Sequence, residues 1–152
     1  MEYSASIEID RPIKEVFELT NEHVPEWSKI VVEEQLIHNT PEVVGTSFRS
    51  VTESNGNRMI FEGTVTNYEP PHLNAVHLIG ETFDIETAFT FEDLGGRTRV
   101  TQYSSVQGKG FFRLLFKLLG KFMYKSGCKA SLKELENLKQ FCETYVAQPN
   151  SN

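Results

Sequence analysis

The sequence predicts an α+β domain: a curved antiparallel sheet of about seven strands wrapped around one long C-terminal helix, with two short helices after strand 1. Two observations carry this expectation. The apolar period is 2 over residues 2–10 and again from 31 to 106, interrupted by short turn segments, and it becomes helical from about 111 to 145. Such a sheet has one face to bury, and only the last helix is long enough to cover it, so the sheet must curl around that helix.

The elements follow in order. In EYSASIEID, Tyr3, Ala5, Ile7 and Ile9 fall on one face of a half-buried strand. Asp10-Arg11-Pro12 reads as a helix start, with Asp10 as N-cap and Pro12 in the first turn. Val16, Phe17 and Thr20 mark the first short helix, and Glu26, Trp27 and Ile30 the second. Strands are predicted at 31–39, 46–54, 58–68, 73–79, 82–92 and 97–106. The breaks carry turn chemistry, as in Ser54-Asn55-Gly56-Asn57 and Gly95-Gly96, and their shortness favours hairpins between neighbours. There is no internal repeat or dividing linker, so residues 1–146 are expected to form one domain and 147–152 a flexible tail.

Bulk properties narrow the partners. With 152 residues, 39% hydrophobic and 24% charged, the chain suits one ordinary core. A net charge of −6 argues against a nucleic-acid partner, which would require basic surface. No run of about 18 apolar residues exists, so no transmembrane segment is expected. The opening MEYSASIEIDRP lacks the basic start and apolar run of a secretory signal. On one continuous helix Cys128 and Cys142 would stand roughly 21 Å apart, too far to bridge. Two free thiols and no signal point to a cytoplasmic location.

The order of elements and the local wording resemble the polyketide cyclase/lipid-transport family of the START and birch-pollen-allergen superfamily. The pieces that carry the resemblance are IEIDRPIKEVFELTNEHVPEW at 7–27, VGTSFR at 44–49, FEGTVTNYEPP at 61–71, FTFEDLGGRTRVT at 89–101 and SLKELENLKQF at 131–141. It covers nearly the whole chain and implies the helix-grip fold. It brings no catalytic motif that can be carried over by position, and such folds host carriers, cyclases and binding modules alike.

The residues themselves show little catalytic chemistry. There is no nucleophile elbow, phosphate loop or dinucleotide glycine pattern. His23, His38, His72 and His77 form no metal-binding spacing, so neither metal nor cofactor is expected. Alternation instead gathers an inward lining: Phe48 and Ser50, Met59 and Phe61, Phe89 and Phe91, and Gln102. Asp84, Glu86 and Glu92 take the opposite phase and point to water, which argues against paired-carboxylate chemistry. Trp27 adds an aromatic wall from the second short helix. His77, in LNAVHLI, has apolar neighbours on both phases, so its face is open. Inward it would orient a ligand or act as acid or base, and otherwise it bonds a neighbouring strand or faces out. This lining suits an apolar small molecule, a lipid or polyketide-like compound, carried or sensed by the domain. The alternative is a cyclase or dehydratase working in the same cavity by shape and positioning. A third reading is a protein-interaction module.

The last helix raises a phase problem. The apolar residues of 111–123 and those of 124–145 face nearly opposite ways. Either the helix kinks or restarts near Gly120–Gly127, or it stays straight and leaves Leu115, Leu119 and Phe122 outside. In the straight case Gly120, Tyr124, Gly127 and Ser131 face the sheet, and their small members leave room for ligand. The stranded arc would then be capped by the loops and short helices near Trp27 or, with Arg113, Lys117 and Lys121 beside it, serve as a peripheral membrane contact or a homodimer surface.

Overall fold

The computed structural model describes residues 1–147. Strand β1 (Glu2–Ile9) leads into helices α1 (Ile13–Glu22) and α2 (Val24–Trp27). Six strands follow: β2 (Val31–His38), β3 (Ser47–Ser54), β4 (Asn57–Glu69), β5 (Leu73–Ile79), β6 (Phe83–Asp93) and β7 (Thr98–Gly108). Helix α3 (Phe111–Thr144) closes the chain. The seven strands form one sheet in the order β1-β7-β6-β5-β4-β3-β2, every pair antiparallel. This is the helix-grip fold. The part of the expected tail from 148 onward lies outside the described residues.

The strands run where alternation put them, within a residue or two at their ends. The helix start differs: Pro12, not Asp10, is the N-cap of α1, and no side chain caps it. Asp10 and Arg11 are spent on a turn off β1, closed by the Arg11 N–H donating to the Ile9 carbonyl at 2.9 Å. The Arg11 guanidinium then donates to the Glu143 carbonyl at 2.8 Å, which joins the first turn to the end of the chain.

The core lies at one end of the sheet. Ile9, Val16, Phe17, Trp27, Phe91, Val100, Leu135, Leu138 and Cys142 form one buried cluster. It joins α1, α2 and the second half of α3 to β1, β7 and β6. Ser131, Leu135, Leu138 and Cys142 are the buried residues of α3, and all belong to its second half. Each fully buried leucine there contributes roughly 1.5–3 kcal/mol of apolar transfer energy. Gly127 of α3 lies against the Tyr3 ring of β1. A Cβ at that position would meet the Tyr3 ring at 2.8 Å, so a side chain there would have to displace the ring or the helix.

Helix α3 is unbroken over 34 residues, so the two apolar stripes belong to one element. Its first half presents Phe111, Leu118 and Phe122 to solvent at 69%, 74% and 78% exposure. Leu114 and Leu119 are exposed as well, whereas Leu115, expected outside, is half-buried. No described helix is long and apolar enough to cross a membrane.

Cys128 and Cys142 are both free, and burial pushes the Cys142 thiol up to about 12. In native protein without reductant, Cys128 should therefore react with a thiol reagent while Cys142 reacts only after unfolding. Thiol titration in buffer and then in denaturant checks this, and a disulfide-linked pair would contradict the unbroken helix.

Candidate ligand-binding cavity

Between the concave face of the sheet and helices α1 and α2 lies a half-open cavity of about 560 Å³. That volume falls within the range of sites for small organic molecules. Its floor is built row by row from the inward phase of the strands. Leu36, Phe48 and Gly63 are register neighbours across β2, β3 and β4, and Gly63 in turn pairs with Leu78 of β5. Val65, Val76, Thr87 and Ser104 form the next row, running on to Tyr3 of β1. Gly63 has a specific use: a Cβ there would meet the Phe48 ring at 2.3 Å. The ring therefore lies down over β4, and the space above it stays open.

Trp27, Phe48, Ser50, Phe89 and Gln102, all singled out by alternation or by their place on α2, line this cavity. Seven other residues with the same expected role sit elsewhere. Phe61 has the inward phase, but it is buried in a separate cluster against Phe83, with ring centroids 5.7 Å apart. Phe91 packs edge-on against Phe17 at 5.1 Å and belongs to the core. Met59 stands opposite Thr52, which lines the cavity, but does not line it itself. His77 takes the outer phase, because its strand neighbours Val76 and Leu78 line the floor; it stands opposite Glu86 and Thr64. Gly120 and Tyr124 line a different groove, of about 680 Å³, between the first half of α3 and the residues around Met1 and Gly108. Gly127 admits the Tyr3 ring and so closes space instead of opening it.

The polar groups of the cavity fall into two kinds. Glu134 of α3 is fully engaged. It accepts from the Ser28 hydroxyl and from the Lys29 N–H at 3.0 Å, and Asn137 Nδ2 donates to it at 3.3 Å. This carboxylate ties α3 to the entry of β2. The second kind has open valences. Thr52 Oγ1, Gln102 Oε1 and Asn21 Nδ2 are buried and have no hydrogen-bond partner, although Asn21 Oδ1 accepts from Asn74 Nδ2. Buried polar atoms without a partner cost free energy, so each invites a ligand group or water.

Glu34 is the least expected member. It stands on the inward phase of β2, opposite Ser50, where it lines the cavity and is also exposed to water. No described cation pairs with it, and burial pushes its carboxyl from the ordinary 4.5 up to about 7. Sequence reasoning missed it because VVEEQLIH does not alternate. The register of β2 against β3 shifts twice, between Val31 and Glu33 and between Leu36 and His38, so no single phase describes the strand. The signal lay in β3: the residues opposite inward Phe48 and Ser50 had to be inward too.

Among the described residues, no group of three or more His, Cys, Asp or Glu could hold a metal ion.

Comparison with known proteins agrees with the geometry. Solved structures with the same fold include TTHA0849 from Thermus thermophilus, at 18% identity and a TM-score of 0.77 over 93% of this chain and 97% of that one. A START superfamily protein from Mycobacterium smegmatis matches at 18% identity and 0.70, over 91% and 97% of the two chains. The Zhui aromatase/cyclase from Streptomyces sp. R1128 matches at 10% identity and 0.74, over 94% and 93%. No curated protein sequence matches. The sequence matches the family described as polyketide cyclase/dehydrase and lipid transport over residues 1–140, and the chain belongs to that family.

Proposed function

We propose that this protein binds an apolar small molecule in the cavity between sheet and helices and carries it. The observation that supports this reading is the half-open cavity of about 560 Å³, apolar over most of its wall, with a few unpartnered polar atoms. Val76 and Thr87 are paired on its floor. Either residue changed to Trp, as Val76→Trp or Thr87→Trp, fills the space above. Uptake of a neutral fluorescent probe should fall at least about tenfold, which is about 1.4 kcal/mol. Unchanged uptake in a folded variant would place the probe elsewhere. Native mass spectrometry of protein purified without added ligand identifies any molecule it already holds.

A carrier must meet the phase that stores its cargo, and the first half of α3 suits an anionic membrane surface. Residues 111–133 contain Arg113, Lys117, Lys121, Lys125, Lys129 and Lys133 and no acid, in a chain of net charge −6. Phe111, Leu114, Leu118 and Phe122 stand exposed alongside these cations. An apolar arc with a basic flank is the composition of a helix that lies in a lipid interface. Wild-type protein should co-sediment with phosphatidylserine-rich vesicles, less so at high salt. Leu118→Glu combined with Phe122→Glu should abolish this. A double variant that changes only in oligomeric state would make the face a homodimer contact.

Glu34 favours a second reading, catalysis by a cyclase or dehydratase. A carboxyl that titrates at about 7 in an apolar cavity is poised to give or take a proton. Its titration also has a consequence for stability. The unfolded carboxyl ionises near 4.5 and the folded one at about 7, so the native state holds the extra proton between those values. Stability should then fall as pH rises through that window and level off above it. Thermal unfolding of Glu34→Gln across the window should lack this slope. The same slope in the variant would mean that Glu34 ionises normally.

A further inference from the structure

We infer that the cavity selects neutral or cationic apolar molecules, excludes anionic ones, and takes the ligand's amine or hydroxyl at Glu34. The inference rests on the binding function proposed above and adds the chemical class of the ligand.

The charges that face the cavity are all of one sign. Its titratable residues are Glu34 of β2, Glu134 of α3, Tyr3 of β1 and Tyr68 of β4. Helices α1 and α2 and strands β3, β5, β6 and β7 contribute none, and no Lys, Arg or His lies in the lining. Arg49, the cation nearest in sequence to the floor residues Phe48 and Ser50, is opposite Gln35 on the outer phase. A carboxylate or phosphate entering this space would leave water without a counter-charge and would face two carboxyl groups, which costs far more than an apolar tail recovers.

The unsatisfied oxygens point the same way, and among the described residues Asn21 Nδ2 is the one unpartnered donor nitrogen beside them. Glu134 already has its donors, so Glu34 is the carboxyl free to bind. Val31, next to Glu34 on the inward phase, pairs with Thr52, whose Oγ1 has no partner and whose residue is only 8% exposed. On the opposite wall Gln102 Oε1 is a buried acceptor without a donor. A carboxyl, a hydroxyl oxygen and an amide oxygen around an apolar space form an acceptor-rich frame. The complementary molecule presents N–H or O–H groups on an apolar body. An ammonium group would keep Glu34 ionised and form a charge-assisted bond to it.

The test is competition against a neutral probe, N-phenylnaphthylamine, by decylamine, decanol and decanoate, which share one apolar chain. At pH 8, where Glu34 is ionised, decylamine and decanol should displace the probe, and decanoate should be at least about tenfold weaker. Decylamine should gain affinity between pH 6 and pH 8 relative to decanol. Glu34→Gln should lose that pH-dependent gain, and Glu34→Lys should reverse the order of amine and carboxylate. Decanoate competing as well as decylamine at pH 8, or a pH gain that survives in Glu34→Gln, overturns the selectivity while leaving the cavity intact. Failure of the protein to take up the neutral probe at all overturns the binding function itself, and this inference with it.

Discussion

One helix cannot cover seven strands, and the rest of the structure depends on that mismatch. Strands about 4.8 Å apart make a sheet roughly 29 Å wide, whereas a helix with its side chains is about 10–12 Å across. Helix α3 settles the mismatch by seating its second half at one end, against β1 and β7, where Ser131, Leu135, Leu138 and Cys142 are buried. Gly127 lets it come within contact of the Tyr3 ring. The inner face from β2 to β6 is then left to α1, α2 and the curl of the sheet, and the space they do not fill is the cavity.

The same seating accounts for the polar architecture. Because α3 reaches the cavity only through Glu134, that carboxylate can serve as a clasp, engaged by Ser28 and Lys29 at the entry to β2. Six of the helix's seven cations meanwhile lie between Arg113 and Lys133, and none of the seven lines the cavity with Glu34. The molecule thus separates its charges, with carboxyl groups lining a half-open apolar cavity and a basic, partly apolar helix face outside. The outer face of the sheet carries exposed pairs such as Glu8 with Arg97 and Arg99, which contribute little to stability in water.

Family membership agrees with this picture without choosing an activity. The matched family spans cyclases, dehydrases and lipid transport, and the structural neighbours quoted share at most 18% of their residues with this chain. At that distance the comparison shows the shared fold alone. The choice among those functions therefore rests on the chemistry of the site and not on the fold.

The order of elements, the antiparallel sheet and the inward phase of most strands were legible in the sequence, because a period of 2 has only two phases and turn residues mark its breaks. Phe48, Ser50, Phe89 and Gln102 reach the cavity on that phase alone. Phase says which way a side chain points but not how far along the sheet the cavity extends. Phe61, Phe91 and Met59 therefore share the phase of the lining and fall outside it, the first two packed against Phe83 and Phe17. His77 was undecidable locally, since apolar residues stand on both phases of β5; pairing with β4 and β6 turned it outward. Glu34 was hidden by two register shifts in a strand without alternation, and Leu115 by the unknown angle at which α3 leaves the sheet. Local periodicity determined the elements and their faces. Register across the bulges and the seat of one helix on a sheet too wide for it, both set by long-range packing, decided which of those faces bound the cavity.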